Sequence, residues 1–146
     1  PQMAEFFTLY QQMTPALAKE IPQINKLFDN KDYDKVIKTT NDLLSKAKNN
    51  DDRIFLSLNF AQAYHAKKDA TNTQKYAEEL ISLGPKFSFG YLYMALASLD
   101  KKDYKTALAN AKKAVEMLLE GGRHGNVYKW LEKRKHELRI NSEDER

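Results

Sequence analysis

The side chains that most often carry enzyme chemistry are sparse in this sequence of 146 residues. It has no cysteine, and its three histidines are His65, His124 and His136. Thiolate nucleophiles, thiolate metal sites and disulfides are therefore excluded within it. No histidine stands at a metal-ligand spacing from another histidine or from a suitable pair of carboxylates. Since no motif groups a serine, a histidine and an acid either, we expect no enzyme activity, no cofactor and no metal site.

Two segments near the C-terminus have a composition that could bind phosphate. GGRHGN (121–126) resembles a phosphate-binding loop, but the lysine followed by serine or threonine is missing and no strand pattern precedes it, so we expect a flexible joint. The next predicted helix carries five basic residues, namely Lys129, Lys133, Arg134, Lys135 and Arg139. RNA or an acidic membrane could use them, but Glu132 and Glu137 interrupt the series. We interpret it as a solvated outer face and expect neither nucleic acid nor membrane as a partner.

The segment SFGYLYMALASL (88–99) has no strongly polar face. Helical spacing divides it into an inward stripe of Tyr91, Met94, Ala95 and Ser98, and a second stripe of Phe89, Leu92, Tyr93, Leu96 and Leu99. A helix that is apolar all round must be covered on both sides, because soluble monomers seldom expose more than a few hundred Å² of continuous apolar surface. The cover of the second stripe is the chain's own N-terminal helix, a segment of a partner, or a second copy.

Composition suits one folded domain with a substantial core. Apolar residues make up 42% and charged residues 30%, with both signs interleaved, and the net charge of +4 favours an acidic partner only slightly. No apolar run is long enough to cross a membrane, so we expect no transmembrane segment. The sequence starts at Pro1 rather than at a methionine, and we expect no hydrophobic signal segment. The compartment stays open between cytoplasm and periplasm.

Helical spacing recurs along the sequence and no strand pattern occurs. The predicted helices lie near 3–13, 16–29, 33–47, 53–66, 71–83, 88–100, 104–119 and 126–139. The first is amphipathic, with a stripe of Met3, Phe6, Phe7, Tyr10 and Met13. Pro22 lies inside the second, so we expect a kink or break near residue 21. Asp51 or Asp52 is the expected cap of the fourth, and the tail (141–146) is expected to be frayed.

One pattern occurs twice in succession, first in 54–87 and again in 88–121. In register, four pairs of residues coincide: Leu58 with Leu92, Ala61 with Ala95, Lys68 with Lys102, and Asp69 with Asp103. Asp32-Tyr33 matches Asp103-Tyr104, which places a degenerate first copy at about 17–50. A fixed period of a few tens of residues indicates a repeat array.

These repeats resemble the tetratricopeptide repeat (TPR) family, whose period of about 34 residues is the same. The resemblance is carried by small residues at expected helix crossings (Ala61, Ala95, Ala107, Ala114), by Tyr33, Tyr64 and Tyr104, and by Pro85. Ser57 and Tyr91 depart from the family's early tryptophan. The resemblance implies an all-α fold of antiparallel helix-turn-helix pairs stacked into a superhelix. It would comprise an N-terminal helix (1–14), three repeats (17–121) and a C-terminal capping helix (122–140). It also implies a protein-binding scaffold without catalysis.

Some members of that family grip the C-terminal carboxylate of a chaperone with cationic side chains and two asparagines. Both asparagine positions match here, at Asn25 and Asn59, whereas the cationic positions fall on Ile21, Phe89 and Tyr93. An apolar surface cannot hold a carboxylate, because removing that charge from water without a cation is costly. The two asparagines are then polar groove residues that can still bond a ligand backbone.

We therefore expect a protein-interaction module (an adaptor, scaffold or co-chaperone) that takes an apolar peptide or helix of another protein in its groove. The predicted groove residues are Phe55, Asn59, Gln62, Phe89, Leu92, Tyr93 and Leu96. The layout also resembles the three-repeat chaperones of bacterial type III secretion. The alternative is a self-associating scaffold, with a homodimer as the partner state, in which the N-terminal helix fills the groove of the same or a neighbouring chain. Because the linker at Thr14-Pro15 is short, we expect that helix to pack on 17–47, or to cross into a neighbour to reach Phe89.

Overall fold

The computed structural model describes residues 2–117 and 122–138, with no account of the side chains of 2–5 and 122–126. Every regular element in this part of the chain is helical, which confirms the all-α prediction. The elements are α1 (Gln2–Gln12), α2 (Pro15–Ala18), α3 (Ile21–Asp29), α4 (Tyr33–Leu43) with a 3-10 turn (Leu44–Lys46), α5 (Asn50–Ala66), α6 (Ala70–Leu83), α7 (Ser88–Asp100), α8 (Tyr104–Met117) and α9 (Gly122–Arg134). Outside the described residues lie Gly121, the end of the predicted helix 104–119, Arg139 and the tail 141–146, and the side chains of Met3 and His124 are not described.

Proline and cap residues determine where several helices begin. The predicted break near residue 21 is confirmed: α2 ends at Ala18, and Pro22 lies in the first turn of α3, where no backbone N–H is required of it. α5 begins at Asn50, earlier than expected, because its cap is Asn49 rather than Asp51 or Asp52. The Asn49 side chain accepts a hydrogen bond from the backbone N–H of Asp52 at 2.8 Å, and the Asp52 carboxylate accepts one from the backbone N–H of Asn49 at 3.3 Å.

The predicted joint at 121–126 is wrong in its described part, since Gly122 and Gly125 lie within α9. Glycine inside a helix costs about 1 kcal/mol relative to alanine. Packing offsets that cost here, because α9 lies against α8 and fully buries Leu131 beside Ala107 and Leu108.

The same turn joins α3 to α4, α5 to α6, and α7 to α8. Its central residue is a lysine in the left-handed region, with φ of 58° at Lys31, 64° at Lys68 and 63° at Lys102. At the second of these turns, the backbone N–H of Lys68 donates to the carbonyl of His65 at 3.0 Å, and that of Asp69 to Tyr64 at 2.9 Å. The equivalent hydrogen bonds recur at the other two turns. In each case the following aspartate then caps the next helix, as Asp69 does.

Small residues bring the helices close together. Ala61, Ala95, Ala107 and Ala114 are all fully buried, as the sequence indicated for helix crossings. Gly90 serves the same purpose at the α6–α7 crossing, where a Cβ would lie 3.1 Å from the backbone nitrogen of Ile81. The resulting core is continuous from α1 to α8.

Helix α1 does not follow the predicted course. It packs across the first turns of α5 and α7 of its own chain, where the Phe6 ring lies 4.7 Å from the Phe89 ring and the Tyr10 ring 6.2 Å from the Phe55 ring, centroid to centroid. The expectation that α1 would reach only 17–47, or would need a second copy to reach Phe89, is therefore wrong. The chain turns back at Thr14, whose backbone N–H donates to Asp52 of α5, so an 11-residue helix of about 16 Å suffices to reach α7.

Candidate functional site

A cavity of about 440 Å³ lies between α1, α3, α5 and α7. Its walls are mainly aromatic, and we call it the aromatic cavity. The rings that line it are Phe6, Tyr10, Phe28, Phe55, Phe89 and Tyr93. All of them except Phe28 form a continuous arrangement, because Phe6 contacts both Tyr10 and Phe89, Tyr10 contacts Phe55, and the Phe89 and Tyr93 centroids are 6.5 Å apart. Four helices thus place aromatic and polar side chains around one space of the size that small ligands or side chains occupy.

Five of the seven predicted groove residues line the aromatic cavity. They are Phe55, Asn59, Gln62, Phe89 and Tyr93. Leu92 and Leu96 do not. Leu92 is fully buried in the main core, since it lies about 60° around the helix from Phe89, towards the protein interior. Leu96 is half-buried and packs against the same core.

Residues of α1 and α3 complete the cavity; of these, only Asn25 was expected in the groove. Phe6 and Tyr10 are four residues apart on α1, so both rings point the same way, and Phe28 lies opposite on α3. The predicted stripe on the N-terminal helix contained both α1 rings. The stripe showed that this helix has an apolar face, but spacing alone could not show which helices that face would pack against.

The requirement that α7 be covered on both sides is met within one chain. Phe89 is 3% exposed and Tyr93 is 1% exposed. Phe6 lies against Phe89 from one side, while α6 and α8 pack on the remainder of the helix. Of the three alternatives for that cover, the described contacts show the first, the chain's own N-terminal helix.

Polar side chains share α3 and α5 with the rings of the lining. Asn25 and Asp29 are exposed on α3, Gln62 is half-buried on α5, and Asn59 is 4% exposed. The side-chain nitrogen of Asn59 is buried and has no hydrogen-bond partner within the described part of the chain. A buried donor left without an acceptor costs about 1–3 kcal/mol, and a ligand carbonyl that reached this nitrogen would offset that cost.

The cavity carries one charged group. Asp29 stands at the mouth, and neither lysine, arginine nor histidine contributes to the described lining. Burial raises the pKa of the Tyr10 hydroxyl above its usual value, so this phenol is uncharged at neutral pH. The electrostatic character of the cavity is therefore weakly acidic, with aromatic faces that add to the negative potential.

The histidines lie outside this cavity wherever their side chains are described. His65 Nδ1 is 3.6 Å from a carboxylate oxygen of Asp100, and its ring is 6.1 Å from Tyr93, behind the cavity wall. His136 is exposed near the end of the described chain. Within residues 2–117 and 122–138, histidine and acidic side chains form no cluster of three that could hold a metal ion.

No known protein family, curated protein or solved structure matches this chain. In the part of the chain that the structure describes, none of the helices combines the length and the apolar character that crossing a membrane requires.

Proposed function

We propose that this protein is a non-catalytic protein-interaction module that binds an apolar peptide or helix of another protein at the aromatic cavity. The observation that carries the proposal is the buried, unpartnered amide nitrogen of Asn59, placed among aromatic rings. Backbone carbonyls are the acceptors that every peptide offers, and apolar side chains fit the surrounding rings. Sites that combine apolar side chains with directed polar groups are typical of ligand recognition.

We further propose that the architecture is a TPR-like superhelix of three repeats. Its support is the recurrence of one turn, with identical hydrogen bonds, at Lys31, Lys68 and Lys102. The interval from Lys68 to Lys102 equals the period of the sequence pattern, and the interval from Lys31 to Lys68 is slightly longer. Repeats of this type stack against their neighbours and form extended binding surfaces.

A self-filled groove is the second candidate, and the contact between Phe6 and Phe89 favours its intramolecular form. In this case α1 is the permanent occupant of the surface, and the protein is a scaffold whose partners bind elsewhere. The 440 Å³ that α1 leaves unfilled, together with the unpartnered Asn59 amide, favours the first candidate.

Peptide selection followed by titration tests the proposal. A random peptide library is selected on the full chain, and enriched peptides are titrated calorimetrically into wild type, Asn59→Leu and the control Asn41→Leu, which alters an exposed asparagine of α4. We expect Asn59→Leu to weaken binding by about 2- to 10-fold, the equivalent of one neutral hydrogen bond, and Asn41→Leu to change nothing.

Stability measurements complete the test. In the free chain, Asn59→Leu removes an amide nitrogen that has no hydrogen-bond partner in the described structure. The free energy of unfolding should therefore stay the same or rise. Peptides that bind both variants equally would contradict the proposal. If light scattering shows a monomer and the selection enriches no peptide at all, the self-filled scaffold is supported instead.

A further inference from the structure

Aromatic side chains make up more than half of the residues that line the aromatic cavity. Six rings from four helices line it, and the closest pair, Phe6 and Phe89, has centroids 4.7 Å apart. An aromatic face carries partial negative charge and attracts a cation within about 6 Å of its centroid, most strongly where water is excluded. Phe6, Tyr10 and Phe28 are partly exposed and offer aromatic surface to a ligand, whereas Phe89 and Tyr93 are almost fully buried behind them.

The charge in the described lining of the cavity has one sign. Asp29 supplies a carboxylate at the mouth and forms no ion pair with any described residue, whereas Asp34 is paired with Lys67 and Asp100 lies 3.6 Å from His65. No basic side chain contributes to the described lining. An unpaired carboxylate beside stacked rings attracts a cation and repels an anion.

The side-chain nitrogen of Asn59 requires an acceptor, which a carbonyl group of the ligand could provide. Its nitrogen donates and has no acceptor among the described residues, so a ligand that satisfies the whole cavity brings a carbonyl oxygen as well as a positive charge. An inorganic cation or a simple amine has no carbonyl. An arginine or lysine residue within a peptide has both, separated by a flexible apolar stem that suits the ring faces.

We propose that the aromatic cavity is the subsite for a basic side chain, arginine or lysine, carried by the partner segment. This inference rests on the proposed function and specifies the partner: an apolar segment with one basic residue whose backbone carbonyl meets Asn59. Phe6 and Tyr10 of α1 supply two of the six rings that line the cavity. Helix α1 is therefore part of the site and stays in place when the ligand binds.

Small probes test this directly on the full chain. N-acetyl-arginine methylamide and N-acetyl-lysine methylamide are compared with their uncharged counterparts, the citrulline and norleucine derivatives. Binding is followed by the NMR signal of the Asn59 side-chain amide. We expect both cationic probes to shift that signal and the neutral probes to bind at least about 5-fold more weakly, as loss of cation–π and ionic attraction requires. The stronger of the two cationic probes identifies the preferred residue.

Three substitutions locate the contacts. Asp29→Asn should weaken the cationic probes by about 2- to 5-fold, as expected for an exposed ion pair, while Asp42→Asn, an exposed acid of α4, should not. Phe6→Leu keeps an apolar side chain but removes a ring, so it should weaken the cationic probes and leave the norleucine probe nearly unchanged. Its melting temperature shows whether α1 remains packed.

Equal binding of cationic and neutral probes overturns the proposal, as does an Asp29→Asn variant that behaves like Asp42→Asn. A silent Asn59 signal up to the solubility limit of the probes also overturns it. If selected peptides bind through Asn59 without any need for a basic residue, the interaction function stands and this subsite falls. If cationic probes bind but the library yields no peptide, the cation site stands and the peptide-binding function falls.

Discussion

The backbone N–H of Thr14 donates to Oδ1 of Asp52 at 2.8 Å, and this hydrogen bond ties the end of α1 to the first turn of α5. The same carboxylate also accepts hydrogen bonds from the Thr14 hydroxyl and from the backbone N–H groups of Lys48 and Asn49, the latter two at 2.8 and 3.3 Å. Asp52 is fully buried, so all its bonding is internal. One side chain thereby fixes the direction in which α1 leaves the body of the protein.

Replacing Asp52 by asparagine should destabilise the protein substantially. The amide presents an N–H₂ group where four donors now converge on two oxygens, so at least one buried donor loses its acceptor. We expect the free energy of unfolding to fall by about 2–3 kcal/mol, as for hydrogen bonds to a charged group. Urea denaturation measures this. Asp42→Asn, at an exposed position on α4, is the matched control and should change stability by less than about 0.5 kcal/mol.

Acid should remove the contribution of Asp52. Burial raises the pKa of this carboxyl, but the hydrogen bonds from Thr14, Lys48 and Asn49 outweigh burial, so the pKa in the folded state lies below its usual value. The stabilisation is therefore complete above the unfolded-state pKa of about 3.9 and is lost as the pH falls through the folded-state pKa. The difference in unfolding free energy between wild type and Asp52→Asn should be constant from neutral pH to about pH 5 and shrink below about pH 4. A difference that grows on acidification would contradict this assignment.

Two adjacent phenylalanines on α1 should differ in their effect on stability. Phe6 packs against Phe87 and Phe89, whereas Phe7 is 66% exposed. Phe6→Ala should lower the free energy of unfolding by about 1–3 kcal/mol, because it removes partly buried aromatic surface. Phe7→Ala should alter it by no more than about 0.5 kcal/mol. Equal effects in urea denaturation would mean that α1 does not pack as described.

The helices and their turns could be predicted because their determinants are local. Asp69 and Asp103 each cap the helix that they precede, and the equivalent lysines Lys68 and Lys102 adopt the same φ, so a periodic sequence produces a periodic backbone. Spacing also placed Phe55, Asn59, Gln62, Phe89 and Tyr93 on faces that line the aromatic cavity. Leu92 lies in the core instead, because a stripe drawn widely around a helix includes residues that the neighbouring helices bury.

The course of α1 could not be predicted, because it depends on contacts between distant parts of the sequence. Thr14 and Asp52 are 38 residues apart, and no periodicity relates them. Asp51 or Asp52 was expected to cap α5, and the role of Asp52 as an acceptor for Thr14 leaves no separate mark in the sequence. For the same reason, spacing did not predict that Gly122 and Gly125 are helical. Both lie in α9, which packs on α8, despite the low helix propensity of glycine.

The left-handed lysines offer a stabilising substitution. Lys68 has a φ of 64°, a conformation that costs a residue with a Cβ about 1–2 kcal/mol and costs glycine almost nothing. Allowing for the greater freedom of glycine in the unfolded chain, Lys68→Gly should raise the free energy of unfolding by about 0.5–1 kcal/mol. Lys38→Gly, at an exposed position within α4, should lower it by about 1 kcal/mol. Thermal and urea denaturation should both rank the variants in this order, and a destabilised Lys68→Gly would contradict the turn geometry.

Peptide binding at the aromatic cavity should depend little on salt. The described lining contains a single charged side chain, Asp29, so a bound segment forms at most one exposed ion pair there. Salt screens such a pair within about 8 Å at physiological ionic strength, and the apolar contacts with Phe28 and Phe55 are not screened at all. We expect the dissociation constant of a selected peptide to change by less than about 3-fold between low and physiological salt, and Asp29→Asn to remove most of that change. Calorimetric titrations at matched ionic strengths measure both. A loss of affinity of about 10-fold or more would indicate several ion pairs, and the ligand would then bind a charged surface rather than this cavity.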